Sequence, residues 1–455
     1  MKKLLICSTA FPFLCALMAC SHEEGPITPP DPEPIVDMDS VNYYDPYEND
    51  GYCYIQKKSP KRGLGFSWGS VTDVDLLGPG VSWSYNWGNT MTTQLDSKMD
   101  EYGIEYCPMT WNANYSATNI TNYAHNHART KHLLTYNEPN LKGQAMMTPS
   151  DAAADWPNIK QIATNAGLSI ISPAMTYGTY EGWTNGVAWL DAFFGSSGVS
   201  VNDVDGIAVH CYYTNFKTAI DEYSRYKKFN KPVWLTEFCS WNDGQKPSAP
   251  AAQCEFMSKM INYMEQDDML GRYAWFIARG GYASDSRGMY LLSVTAPITL
   301  TDPGLVYANM SSFDKEAVYP MGQRIPAEHY RKCNIQESTY QSVSISPTSD
   351  KDGILQLTNM NASFCTDYMV NLDGKQNADV RVRYSTTRDN SVVGLYAVDE
   401  MSDTETLLCT ITLPTTGSRD IWRTAAAKAN LPNGATIIRL RPVSGVSNIN
   451  WIEIK

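Results

Sequence analysis

The sequence predicts a (β/α)8 (TIM) barrel followed by an all-β sandwich. Three observations carry this reading. From Lys61 onward, short apolar runs alternate with longer amphipathic stretches over about 250 residues, the length of one such barrel. After Tyr319 the helical periodicity fades, and short alternating runs separated by turn residues replace it. The 455-residue length leaves room for two or three domains.

The N-terminus reads as a processing signal rather than as fold. Lys2 and Lys3 precede an apolar stretch from Leu4 to Ala19, which ends in Leu17-Met18-Ala19-Cys20. Small residues before a cysteine resemble the lipobox of bacterial lipoproteins. The resemblance implies cleavage before Cys20 and a lipid on that residue. An ordinary secretory signal with a chance cysteine is the alternative. The acidic Glu23-Glu24 after the cysteine resembles a surface-export signal. The expected location is the outer membrane or cell surface, with the periplasmic face as an alternative. Pro26, Pro29, Pro30, Pro32 and Pro34 stiffen the next stretch into a tether. No later apolar run is long enough to span a bilayer, so membrane contact is expected through the lipid alone. The expected division is a signal over residues 1–19, a lipidated tether over 20–55, a catalytic barrel over 56–322 and a sandwich over 323–455.

A formal net charge of −12 and the absence of a long basic run argue against a nucleic-acid partner. The 28 tyrosines and 12 tryptophans suit flat sugar rings, though large cores use them as well. Of 11 cysteines, eight lie beyond residue 20. None forms a CxxC or Cys/His cluster, which excludes a common structural zinc pattern. They are either paired or buried as thiols.

The strand candidates are 62–68, 80–87, 104–111, 132–137, 169–174, 206–212, 232–237 and 272–277. Helix candidates between them are 92–102, 120–129, 150–166, 187–194, 216–229 and 250–266. A doubly wound sheet would show the same alternation, but no GxGxxG turn supports one. Barrels of this kind carry chemistry at the C-terminal ends of their strands. The fourth candidate strand ends in Asn137-Glu138-Pro139, and the seventh in Thr236-Glu237-Phe238. A carboxylate after a buried strand is costly unless solvated, paired or used. Two of them facing each other across a barrel mouth form the pair that glycoside cleavage needs, one to protonate the departing oxygen and the other to stabilise or attack the anomeric carbon.

These motifs are similar to those of clan A retaining glycosidases. Residues from Lys61 to Asp314 resemble glycoside hydrolase family 128, through Ser82 to Gly88, Leu134 to Pro139, Ala208-Val209-His210, Pro232 to Phe238 and Arg272 to Phe276. The resemblance implies a β-1,3-glucan substrate, Glu138 as acid/base, Glu237 as nucleophile and Asn137 on the sugar 2-hydroxyl. It implies that His210 orients the nucleophile or the sugar. Trp87 and Trp275 would stack on sugar rings or pack the barrel. The family's aromatic after the strand-six histidine is Cys211 here; Tyr212 and Tyr213 follow and offer a replacement platform. No cofactor is expected for catalysis.

Ile325-Pro326-Ala327-Glu328-His329-Tyr330, with the ending Asn448-Ile449-Asn450-Trp451-Ile452, resembles carbohydrate-binding module family 6. That resemblance implies a structural calcium with Glu328 among its ligands, and a sugar site using Asn448. Arg419 stands where the family shows a stacking tryptophan, so the domain either binds sugar or braces the barrel. The reading is a retaining β-1,3-glucanase. Its rivals are a non-catalytic glycan-capturing lipoprotein and a retaining enzyme for another β-linkage.

Overall fold

The computed structural model describes residues 52–241, 246–280 and 288–455. The signal segment, Cys20 and the proline-rich tether lie outside the described residues. The barrel strands are β1 (Arg62–Gly65), β2 (Trp83–Tyr85), β3 (Glu105–Tyr106) with its continuation β4 (Met109–Thr110), β5 (His132–Asn137), β6 (Ser169–Ala174), β7 (Ile207–Tyr212), β8 (Val233–Cys239) and β9 (Leu270–Trp275). All their pairings are parallel, in the order β3-β2-β1-β9-β8-β7 and β4-β5-β6. Bridges Ile171–Gly206 and Met175–Val209 join β6 to β7. Since β3 runs directly into β4, the ring closes with eight strands, and β5 and β8 are its fourth and seventh.

The helices are α1 (Val71–Leu77), α2 (Thr93–Glu101), α3 (Ala117–Asn126), α4 (Pro149–Ala166), α5 (Gly186–Phe194), α6 (Phe216–Ser224), α7 (Pro250–Gln266) and α8 (Asp302–Asn309). Their ends follow local chemistry. In α4, Thr148 and Asp151 form a reciprocal capping box, Pro149 occupies the first turn, and Gly167 closes the helix at φ 67°. α1 and α8 carry no long periodic pattern and were not expected from sequence. The 216–229 candidate is helical to Ser224 and continues as a 3-10 turn to Phe229.

Trp83 and Trp234 fill the lower barrel, 5.3 Å apart between ring centroids. A Cβ on Gly63 would lie 2.2 Å from the Trp83 indole, so only glycine leaves space for that ring. The Arg272 guanidinium sits against both indoles and pairs with Glu105 at 2.8 Å. Burial opposes the charge on Glu105, but His132 and Arg272 outweigh it and hold the carboxyl down at about 2.

The sandwich has two six-stranded sheets. One follows the order β10 (Tyr319–Pro320), β15 (Thr366–Asp373), β20 (Asn433–Ser444), β17 (Ser391–Asp399), β18 (Thr404–Leu413), with β12 (Lys332–Cys333) also on β15. The other runs β13 (Ser344–Pro347), β14 (Leu355–Met360), β21 (Ser447–Ile454), β16 (Ala378–Ser385), β19 (Arg423–Ala429), with β11 (Arg324–Pro326) also on β21. Asn433-Gly434 opens β20 and pairs with β15.

Barrel and sandwich fall within one compact unit. The side chains of α7 are buried on both of its faces. Asn262 on α7 donates to Val343 O at 2.8 Å and accepts from Tyr330 Oη at 2.5 Å. Of residues 52–55, read as tether, Cys53 is buried and its N–H donates to Arg324 O at 2.9 Å, while Tyr54 and Ile55 stay exposed. All eight described cysteines are free thiols, and all but Cys365 are buried.

Candidate active site

Glu138 follows β5 and Glu237 lies near the end of β8, so both stand at the C-terminal face. Both are buried. The backbone that delivers Glu138 is unusual: Tyr136 has φ 22° and Glu138 φ 49°. Trp87 after β2 has φ 63°. Non-glycine residues in this region carry strain that the surroundings must hold, and such residues gather at functional sites. The restraints are visible. Tyr136 Oη donates to Asp155 at 2.7 Å, Asn137 N–H to Trp111 O at 2.8 Å, and Glu138 N–H to Ala174 O at 3.0 Å.

Glu237 is surrounded by neutral donors. Tyr85 Oη and Trp87 Nε1 donate to Oε1 at 2.7 and 2.8 Å, and Tyr212 Oη donates to Oε2. Burial and Glu237 raise the Tyr85 and Tyr212 hydroxyls well above their ordinary value, so both keep their protons and donate. His210 Nδ1 lies 2.8 Å from Glu138 Oε1 and 3.4 Å from Glu237 Oε2. Its Nε2 is buried with no partner among the described residues. The imidazole proton therefore belongs on Nδ1, where acceptors are. Burial opposes protonation of His210, yet the two glutamates outweigh it and raise the group.

One side-chain ligand atom from each of Glu138, His210 and Glu237 lies within 4.8 Å of the others. Carboxylate oxygens this close can act together on one glycosidic bond. Burial pushes the Glu237 carboxyl up; His210 opposes, Glu138 adds to the rise, and the Tyr212 and Tyr85 hydroxyls oppose it again. The donors that favour the charged form converge on Glu237, which suits it to attack.

The pair opens into a cleft of about 550 Å3, lined by Trp87, Trp111, Tyr177, Tyr212, Trp241 and Phe276, with Asn137, Leu141, Gln144 and Ile277. Asn137, His210 and Trp87 are thus assembled with both glutamates, and Trp87 uses its indole N–H on Glu237 as well as lining the cleft. Trp275 is not part of it. It is fully buried, donates Nε1–H to Met289 O at 2.8 Å and packs on Phe238. Successive strand residues face opposite sides, so Phe276 takes the position expected for Trp275. Trp111, Tyr177, Gln144 and Trp241 were missed. Trp111 ended a strand candidate, and Trp241 follows Glu237 by four residues, so the strand-end rule could have found both.

In the sandwich, Asn448 is buried and its amide is spent internally. Oδ1 accepts from Asn359 N–H at 3.0 Å and Nδ2 donates to Ser385 Oγ at 3.2 Å. It braces the irregular end of β14, where Asn359 has φ 56° and the register shifts, rather than facing a ligand. Glu328 is also buried. Burial pushes its carboxyl up to about 8, and its Oε2 has no partner among the described residues. That oxygen suits a hard cation, while two aspartates of this domain are engaged with arginines. Asp352 pairs with Arg324 at 2.9 Å, and Asp350 pairs with Arg383 at 2.7 Å. Glu328 joins no set of three clustered ligand side chains among the described residues. Calcium takes six to eight oxygens, backbone carbonyls among them, and these carboxylates by themselves do not supply that number.

Comparison with known proteins agrees with the geometry. Residues 63–307 match the model of the glycosyl hydrolase catalytic core, and residues 327–455 match carbohydrate binding module (family 6). A GH128 (subgroup II) endo-β-1,3-glucanase from Pseudomonas viridiflava is 34% identical with a TM-score of 0.50, over 55% of this chain and 98% of that one. A second subgroup II enzyme, from Sorangium cellulosum, is 32% identical with a TM-score of 0.48, over 55% of this chain and 98% of that one. The alkali-sensitive linkage protein 1 of Schizosaccharomyces pombe is 27% identical over 48% of this chain. The match spans only 39% of that relative's length. The matched model covers more than half of the residues, and with it the paired glutamates: the chain belongs to the glycosyl hydrolase catalytic-core family.

Proposed function

We propose that this glycoside hydrolase cleaves β-1,3-glucan by double displacement with retention. The single observation that carries the mechanism is the approach of the Glu138 and Glu237 carboxylates, with ligand atoms within 4.8 Å. Glu237 attacks the anomeric carbon while Glu138 gives its proton to the departing glycosidic oxygen. A glycosyl ester on Glu237 and a shortened glucan result. Glu138 then takes a proton from water, the water oxygen attacks the same carbon, and Glu237 leaves as carboxylate. Tyr85, Trp87 and Tyr212 stabilise that carboxylate before attack and after release. His210 bridges the two acids and keeps their orientations coupled. The 34% identity to a β-1,3-glucanase supports the substrate class and cleavage at interior bonds.

Incubation with laminarin and assay of new reducing ends tests this. The wild type is expected to release them and Glu237→Gln to lose turnover while still binding. Binding without release by the wild type would favour glycan capture, and a panel of β-linked glucans separates the third reading. The Leu17-Met18-Ala19-Cys20 sequence supports a lipid anchor at Cys20 on the outer membrane or cell surface. Cys20→Ala should abolish incorporation of labelled palmitate.

A further inference from the structure

The segment after the acid/base glutamate folds back onto the residue that precedes it. Leu141 N–H donates to Glu138 O, Ala145 N–H to Asn137 O and Met147 N–H to Pro139 O, each at 3.0 Å. Gly143 supports this return with φ 84°, a conformation that side chains resist. The return places Gln144 against Asn137, and Asn137 Nδ2 donates to Gln144 Oε1 at 3.2 Å. Both residues line the cleft.

The remaining polar atoms of the two amides are complementary. Asn137 Oδ1 is buried and accepts no hydrogen bond among the described residues. A buried carbonyl left in this state is costly unless a ligand supplies a donor. Gln144 keeps a donor, Nε2, that accounts for none of the contacts within the site. A sugar hydroxyl both donates and accepts, so one hydroxyl satisfies both atoms. Reversing both amides would exchange donor and acceptor without altering that match.

We propose that Gln144 is a substrate-binding residue which, with Asn137, forms a two-amide reader for the equatorial 2-hydroxyl of the sugar held against Glu237. The hydroxyl donates to Asn137 Oδ1 and accepts from Gln144 Nε2. A sugar lacking this hydroxyl leaves the two amides unpaired, which is how polar sites reject deoxy analogues. The inference rests on the retaining mechanism proposed above.

The test uses the full chain and two substrates, a dinitrophenyl β-laminaribioside and its analogue deoxygenated at C2 of the ring bearing the leaving group. Wild type, Gln144→Ala and the near-isosteric Gln144→Met are compared by kcat/KM. Both variants should lose about tenfold on the hydroxylated substrate and little on the deoxy substrate, narrowing the wild-type discrimination. Equal losses on both substrates, or no loss on either, would overturn the assignment and leave the hydrolase reading standing. A wild type inactive on both would remove that reading and this one with it. Gln144→Met separates lost recognition from a collapsed loop, because it preserves side-chain volume.

Discussion

Glu138 and Glu237 meet at a single atom of His210, Nδ1, at 2.8 and 3.4 Å. The two acids are therefore linked by one imidazole as well as by proximity. Tyr212 and Tyr85 donate to Glu237 and favour its charged form, against burial and Glu138, which raise its carboxyl.

Removing one of those donors should show in the pH profile. Tyr212→Phe takes a hydrogen bond from the charged form of Glu237, so its carboxyl rises further. The acidic limb of kcat/KM should move to higher pH, with a loss of about ten- to hundredfold below it. An unchanged limb would mean that Tyr212 does not set the charge of the nucleophile.

Trp275 and Phe276 should separate stability from catalysis. Trp275→Ala should cost about 3–5 kcal/mol of stability, as deletion of a buried aromatic does. Phe276→Ala should raise KM with a smaller change in Tm. Thermal melts and laminarin kinetics on both variants check this.

Glu328 and His329 should give stability opposite pH dependences. The Glu328 carboxyl is raised from its ordinary 4.5 to about 8, so its contribution is full below the ordinary value and lost as pH rises towards 8. The His329 imidazole is lowered to about 4 by burial, so its contribution is full above its ordinary 6.5 and lost as pH falls through 4. Glu328→Gln should raise Tm by roughly 5 °C at pH 8 and leave it unchanged at pH 4. Chelator should not lower the wild-type Tm. A chelator-induced fall would establish a metal that this side-chain set does not provide.

The sandwich should be needed for folding of the barrel. Asn262 and Ser258 on α7 bond to Val343 and Ile345 of the sandwich, and α7 buries both faces. A chain ending at residue 322 should be insoluble or melt without cooperativity. A soluble, active fragment with a sharp transition would refute this bracing role.

What the sequence determined by itself was the set of local patterns. His132–Asn137, Ser169–Ala174 and Pro250–Gln266 were legible at their observed bounds, because strand and helix periods leave direct traces in apolar spacing. Glu138 and Glu237 were legible because carboxylates rarely end buried strands. The tertiary structure alone decided which side of a strand each aromatic faces, turning Trp275 outward and Phe276 into the cleft. It also spent the Asn448 amide on bracing the end of β14. Gln144 reached Asn137 through a backbone return that no period encodes. Orientation and pairing depend on contacts between residues distant in the chain, and composition and spacing do not specify those contacts.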